Sequence, residues 1–106
     1  MLRVTYTIGT QYRWNGKPIW KDTRDTWIHQ ALKRIALTFG GYTANAGRGG
    51  WINSQEELIE EECLTIVVLT DLGHKPEFET TAVYLGEQFG QDCVVMTIDE
   101  TEVKFI

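Results

Sequence analysis

Leu2, Val4, Tyr6 and Ile8 alternate with Arg3, Thr5 and Thr7, the period of a strand with one buried face, and Gly9 ends it. Asn15-Gly16 follows, a dipeptide that tolerates the positive φ of a type I′ hairpin turn, while Pro18 on the returning arm confines that arm to an edge or a loop. Residues 10–21 therefore read as an excursion, a projecting hairpin or loop, between the first strand and the first helix. From Asp22 the period changes. Ile28, Leu32, Ile35 and Phe39 recur at helical spacing, with Asp22 or Thr23 as the expected cap and Gly40-Gly41 as the stop.

Tyr42 to Ile52 predicts a glycine-broken strand, and Asn53-Ser54-Gln55 the turn out of it. The next run starts acidic at Glu56 and ends CLTIVVLT, near-continuously apolar as a central strand would be. Pro76 suits the first turn of a second helix, whose stripe is Phe78, Ala82, Leu85 and Phe89 and whose stop is Gly90. Cys93 to Ile98 predicts a β-branched strand, and Val103 to Ile106 a short last one. The order is βαββαβ. It predicts one α+β domain over residues 1–106: a ferredoxin-like antiparallel sheet with two helices on one face, an added N-terminal hairpin and a C-terminal strand. The second face of such a sheet must be covered by a partner, a ligand or its own polar residues.

Composition narrows the classes. At 106 residues with 42% hydrophobic and 24% charged, the chain is long enough for one modest core and is not a disordered tail. No apolar run reaches the roughly 18 residues of a bilayer span, and the N-terminus lacks a signal peptide's apolar core, so a cytoplasmic protein is expected. The net charge of −5 hides a split: residues 1–50 hold eight Lys/Arg against two acids, and residues 51–106 hold two against thirteen. An acidic whole argues against generic nucleic-acid binding, whereas the basic half suits a small anion. Cys63 and Cys93 lie in apolar runs where buried thiols are common, which argues against a disulfide and against thiol catalysis.

The chemistry-bearing residues are few. His29 and His74 lack the spacing of a zinc site, so no metal and no cofactor are expected. In Glu60-Glu61-Glu62, Glu60 and Glu62 share a strand face and suit acid–base work only if one is desolvated; Arg48, Arg3 or Arg13 are the expected counter-ions. Five of the ten glycines fall between Gly40 and Gly50. Gly49 and Gly50 beside Arg48 leave room for an anion to approach the backbone, and Trp51 or Tyr42 offers a ring to stack on a flat ligand. The same glycines also fit a bulge or a bend. Trp14 and Trp20 flank the Asn-Gly turn, interleaved with Arg13 and Lys17, a mix suited to stacking plus charge.

YTIG at 6–9, GGYT at 40–43, GRGGW at 47–51, EECLTIVVL at 61–69 and FGQDCVVMTI at 89–98 resemble a family of small phage and prophage proteins of uncharacterised activity. The resemblance implies a ferredoxin-like sandwich, with Gly9, Gly50 and Gln91 at positions the family tends to keep, and it supplies no catalytic residues. The residues and the resemblance together predict a non-enzymatic binding protein that sequesters a small anionic, nucleotide-derived host signal to counter host defence. Arg48, Gly49, Gly50, Trp51, Tyr42, Arg13, Trp14, Lys17 and Trp20 would form its site, in a homo-oligomer. Two alternatives stand beside it: an inhibitor of a host protein that docks through Glu56–Glu62, and a small enzyme.

Overall fold

The computed structural model describes all residues from 1 to 106. Its elements are β1 (Leu2–Gly9), α1 (Lys21–Phe39), β2 (Thr43–Ile52), β3 (Leu58–Thr70), a 3₁₀ turn at Leu72–His74, α2 (Lys75–Phe89) and β4 (Val95–Glu100). The strands form one antiparallel sheet in the order β2-β3-β1-β4. Two helices and four antiparallel strands make the α+β, ferredoxin-like architecture that the alternating patterns predict.

One parity rule organises the core. In β1 and β3 the buried residues are all even-numbered: Val4, Tyr6 and Ile8 in one strand, Leu64, Ile66 and Val68 in the other. They meet Ala31, Ile35 and Phe39 of α1 and Phe78, Leu85 and Phe89 of α2 in one cluster. Burying such side chains is worth roughly 1.5–3 kcal/mol each. Tyr6 is fully buried, and its hydroxyl donates to the Phe78 carbonyl at 2.9 Å, tying β1 to α2. Burial pushes its phenol pKa up to about 12. Odd-numbered residues of both strands face the opposite way, and no helix covers them.

The excursion between β1 and α1 folds back onto the helix layer. Tyr12 and Pro18 form a single bridge, and Ile19 is buried in the core. The Arg13 guanidinium stacks on Trp27 at 4.9 Å, Trp14 N–H donates to the Gly90 carbonyl at 2.8 Å, and Gln91 Nε2 donates to the Tyr12 carbonyl. The type I′ expectation does not hold at Asn15, since only Gly16 takes positive φ, 80°. The loop has three residues, closed by Gly16 N–H to Arg13 O and Arg13 N–H to Lys17 O. Seating Ile19 also starts α1 earlier than Asp22. Trp20 occupies the cap position without a side-chain bond, and its carbonyl takes the Arg24 N–H.

Two further expectations are corrected at the C-terminal end. The last strand starts at Val95, because the chain from Gln91 to Val94 first passes α2, where Gln91 N–H donates to the Gly86 carbonyl at 2.8 Å and a Cβ on Gly86 would lie 3.6 Å from Val94. Cys93 is consequently exposed, and Cys63 is half-buried on the open sheet face. Residues 101–106 form no strand. After Thr101 N–H donates to the Met1 carbonyl, β1 has no residue left to pair.

Candidate functional site

Three consecutive glutamates part company at the end of β3. Counting back by twos from buried Leu64 puts Glu62 and Glu60 on the helix side of the sheet and Glu61 on the open side. The two even residues are neutralised. Glu62 meets Arg24 of α1 at 3.2 Å and Glu60 meets Arg48 of β2 at 3.3 Å. Glu61 takes part in none of the ion pairs of the chain.

What surrounds Glu61 is mostly bare backbone. Gly49 stands directly across from it in β2, and Gly9 and Gly47 flank Cys63, the next residue of β3 on the same face. A Cβ on Gly9 would lie 2.5 Å from Glu61 Oε1, so the carboxylate occupies the space that this glycine leaves open. A Cβ on Gly49 would sit 3.8 Å from Cys63 Sγ, in ordinary contact. Three glycines on β1 and β2 thus strip the open face of side chains around Glu61 and Cys63. Desolvation raises the Glu61 pKa above the ordinary carboxylate value, partly offset by a hydrogen bond from the Tyr12 backbone. The arrangement is a negative group with no cation of its own, set in a trough flat enough for a ligand to lie against the strands. Cys63 is the one thiol on this face, and no side-chain hydrogen bond joins it to Glu61.

The residues that the sequence singled out are divided by the sheet. Arg48 and Gly50 face the helix side, whereas Gly49 and Trp51 face the open side. Tyr42 and Trp51 lie at opposite ends of β2, about 30 Å apart at about 3.3 Å per residue, so they cannot bracket one small ligand. Arg13 is engaged by Trp27, while Trp14 and Trp20 are 70% and 74% exposed on the loop with Lys17. The loop reaches the trough through its first residues instead. Gln11 Oε1 accepts from Glu62 N–H at 2.8 Å, and the Tyr12 backbone meets Glu61. Of the expected counter-ions, Arg48 pairs with Glu60 and Arg3 pairs with Asp99; Arg24 was not among those expected. The sequence marks Glu61 only as a member of the acidic run, although the parity of Leu64, Ile66 and Val68 already separates it from its neighbours, and nothing in the sequence marks Tyr12 or Arg24.

No three His, Cys, Asp or Glu side chains converge to hold a metal ion, and no helix is long and apolar enough to cross a membrane. No protein family and no curated protein matches the chain. Solved structures do. A phage SAM lyase in complex with S-methyl-5′-thioadenosine aligns with a TM-score of 0.68 at 17% identity, over 93% of this chain and 80% of the lyase. CutA of Pyrococcus horikoshii aligns at 0.59 and 14% identity, over 98% of this chain and 88% of CutA. The periplasmic divalent cation tolerance protein CutA of Archaeoglobus fulgidus aligns at 0.60 and 7% identity, over 99% and 88%. At these identities the likeness is one of fold: the chain has the α+β architecture that a phage SAM lyase and CutA share.

Proposed function

We propose that the protein binds a sulfonium nucleoside of the S-adenosylmethionine type on the open face of its sheet and cleaves it to S-methyl-5′-thioadenosine. The observation that carries this reading is Glu61, a desolvated carboxylate without a cation over a floor of glycines. Such a group favours a positively charged ligand. An anion has less support at this trough, since Arg48 stands on the opposite face of the sheet from Glu61. The fold likeness to a SAM lyase supports the same ligand class.

The absence of a paired base or nucleophile near Glu61 suits a reaction in which the ligand supplies its own nucleophile. The carboxylate of the methionyl chain attacks the carbon bonded to sulfur and closes a five-membered lactone. The C–S bond breaks, its electron pair stays on sulfur, and a neutral thioether leaves. No proton moves. The contribution of the protein is then to hold the chain in its folded-back conformation and to keep water away, effects that intramolecular positioning makes large. The helices leave the open face without a wall, so a second copy of the chain would close the trough; this is the role of self-association in the reading.

The test is chromatographic. Incubation with S-adenosylmethionine should release S-methyl-5′-thioadenosine, and Glu61→Gln should raise KM by about tenfold through loss of the contact with the sulfonium. A protein that neither releases S-methyl-5′-thioadenosine nor binds the nucleoside would overturn the reading. The sequence predicts sequestration of an anion at Arg48; a protein that instead only sequesters the cationic nucleoside uses the trough at Glu61. It would give saturable binding with the nucleoside recovered intact. Either behaviour would deprive a host of a signal or a methyl donor, the anti-defence role suggested by the phage resemblance. Docking of a host protein through Glu56–Glu62 has the least support, because two of those five acids are already paired with arginines.

A further inference from the structure

On the helix side of the sheet, the first turns of α1 and the paired β2 and β3 enclose a second concavity, a cleft of about 500 Å³. Two guanidiniums, Arg24 and Arg48, and two carboxylates, Asp25 and Glu62, line it together with Ile28 and Leu64. The volume lies in the ordinary range for small-molecule sites. Arg24 is the notable member, for its side chain is only 17% exposed. Its one ionic contact is with Glu62 at 3.2 Å, that of Arg48 is with Glu60 at 3.3 Å, and Asp25 holds Lys21 through Oδ2 at 2.9 Å, which leaves its Oδ1 for a ligand. A guanidinium carries five N–H donors, so one such contact leaves each with donors to spare.

The charges in this wall alternate and cancel. A dianion would be repelled by Asp25 and Glu62, and a dication by the two arginines. The ligand that satisfies all four is neutral overall and carries both signs within a few ångströms. We infer that this cleft binds the zwitterion of an α-amino acid, its carboxylate on Arg24 and Arg48, its ammonium on Glu62 and Asp25, and an apolar side chain against Ile28 and Leu64. Charge-assisted hydrogen bonds of this kind are about twice as strong as neutral ones, and Arg meets a carboxylate with two parallel donors. The site is separate from the Glu61 trough, which opens on the other face. It does not depend on the sulfonium reading, because a free amino acid carries the same zwitterion as the methionyl end of the nucleoside.

The native chain with L-methionine, followed by ¹H–¹⁵N correlation spectra, provides the test. Saturable shifts are expected at the amides of Asp25, Ile28, Gly47 and Leu64, with 3-(methylthio)propylamine and 4-(methylthio)butanoate at least about tenfold weaker, since each lacks one charge. Glu62→Gln should weaken methionine binding about tenfold while the carboxylate half-molecule, freed of a repelling charge beside Arg24, binds no more weakly than before. S-adenosylmethionine separates the two sources. If it shifts these amides and methionine does not, the methionyl end of the nucleoside is the occupant, and the zwitterion site stands. No shift from either compound at about 10 mM, or half-molecules that bind as well as methionine, would overturn the inference. Release of S-methyl-5′-thioadenosine is read separately, so failure here leaves the trough untouched, and the reverse.

Discussion

Burial raises the Glu61 carboxyl above its ordinary range, so its proton is linked to folding and to any cation that settles beside it. In the unfolded chain this group titrates near the ordinary carboxylate value of about 4.5, and in the folded chain it titrates higher. The folded protein therefore holds the proton more tightly. Its contribution to stability is fully present below the unfolded pKa and is lost as pH rises through the folded one. Glu61→Gln should remove that part of the pH dependence and hold stability level above about pH 4.5, as urea midpoints from pH 4 to 7 would report. A bound sulfonium lowers this pKa again, so binding should release a proton and tighten as pH rises. Gly9→Ala probes the same carboxylate sterically. The new Cβ would displace a flexible side-chain end and not backbone, so stability should change by less than about 1 kcal/mol while thioadenosine release falls. Unchanged release from that variant would remove Glu61 from the site. At this scale the sequence carried the signal in a masked form. Even positions of β3 fill the core, but odd Val67 and Leu69 are apolar as well, so the run hides which side each glutamate takes. Register, which only pairing supplies, resolves it.

Two loops of the molecule share one geometry, and only one has the residue that the geometry prefers. In Trp14-Asn15-Gly16, a carbonyl three residues back accepts the third N–H and the flanking residues pair. Ser54-Gln55-Glu56 repeats this, with Glu56 N–H to Asn53 O at 3.1 Å and Asn53 N–H to Glu57 O at 3.0 Å. The third residue is left-handed in both, Gly16 at φ 80° and Glu56 at φ 61°. A side chain there costs roughly 1–2 kcal/mol, so Glu56→Gly should stabilise the protein by about 1 kcal/mol, read as a rise in the urea midpoint. Asn53 Oδ1 offsets part of the strain by accepting from the N–H groups of Gln55 and Glu57. The first loop is anchored through Arg13 instead. Arg13→Ala should cost about 1 kcal/mol through loss of the stack on Trp27, and should speed hydrogen exchange at residues 11–18. Elements with a clean period, such as β1 and α1, were legible from the sequence. The seating of residues 10–21 was not, because it depends on Ile19, Trp27 and Gly90 meeting across long separations.

The molecule as a whole is elongated, with principal extents of 45 × 29 × 27 Å and a radius of gyration of 14.6 Å. A compact chain of this length would have about 13 Å. The excess follows from the 13-residue β3 and the β2 that pairs along it to Leu58, both running past the two helices. Glu61 and its glycines lie on the side of the sheet that the helices do not cover. The uncovered side also carries half-buried Val67 together with exposed Val95 and Trp51, apolar groups that a lone chain leaves against water. A second copy laid across them would bury the strand face and supply the wall that the trough lacks; a stable contact of this kind removes about 800 Å² per partner. Val67→Lys would place an unpaired charge in the middle of that contact while leaving the even-numbered core intact. It should yield a folded, cooperatively melting 12.2 kDa particle with weakened thioadenosine release, where the parent chain sediments as a multiple of that mass. If the parent chain sediments at 12.2 kDa under conditions where it cleaves the nucleoside, the trough works without a partner and self-association has no part in the chemistry.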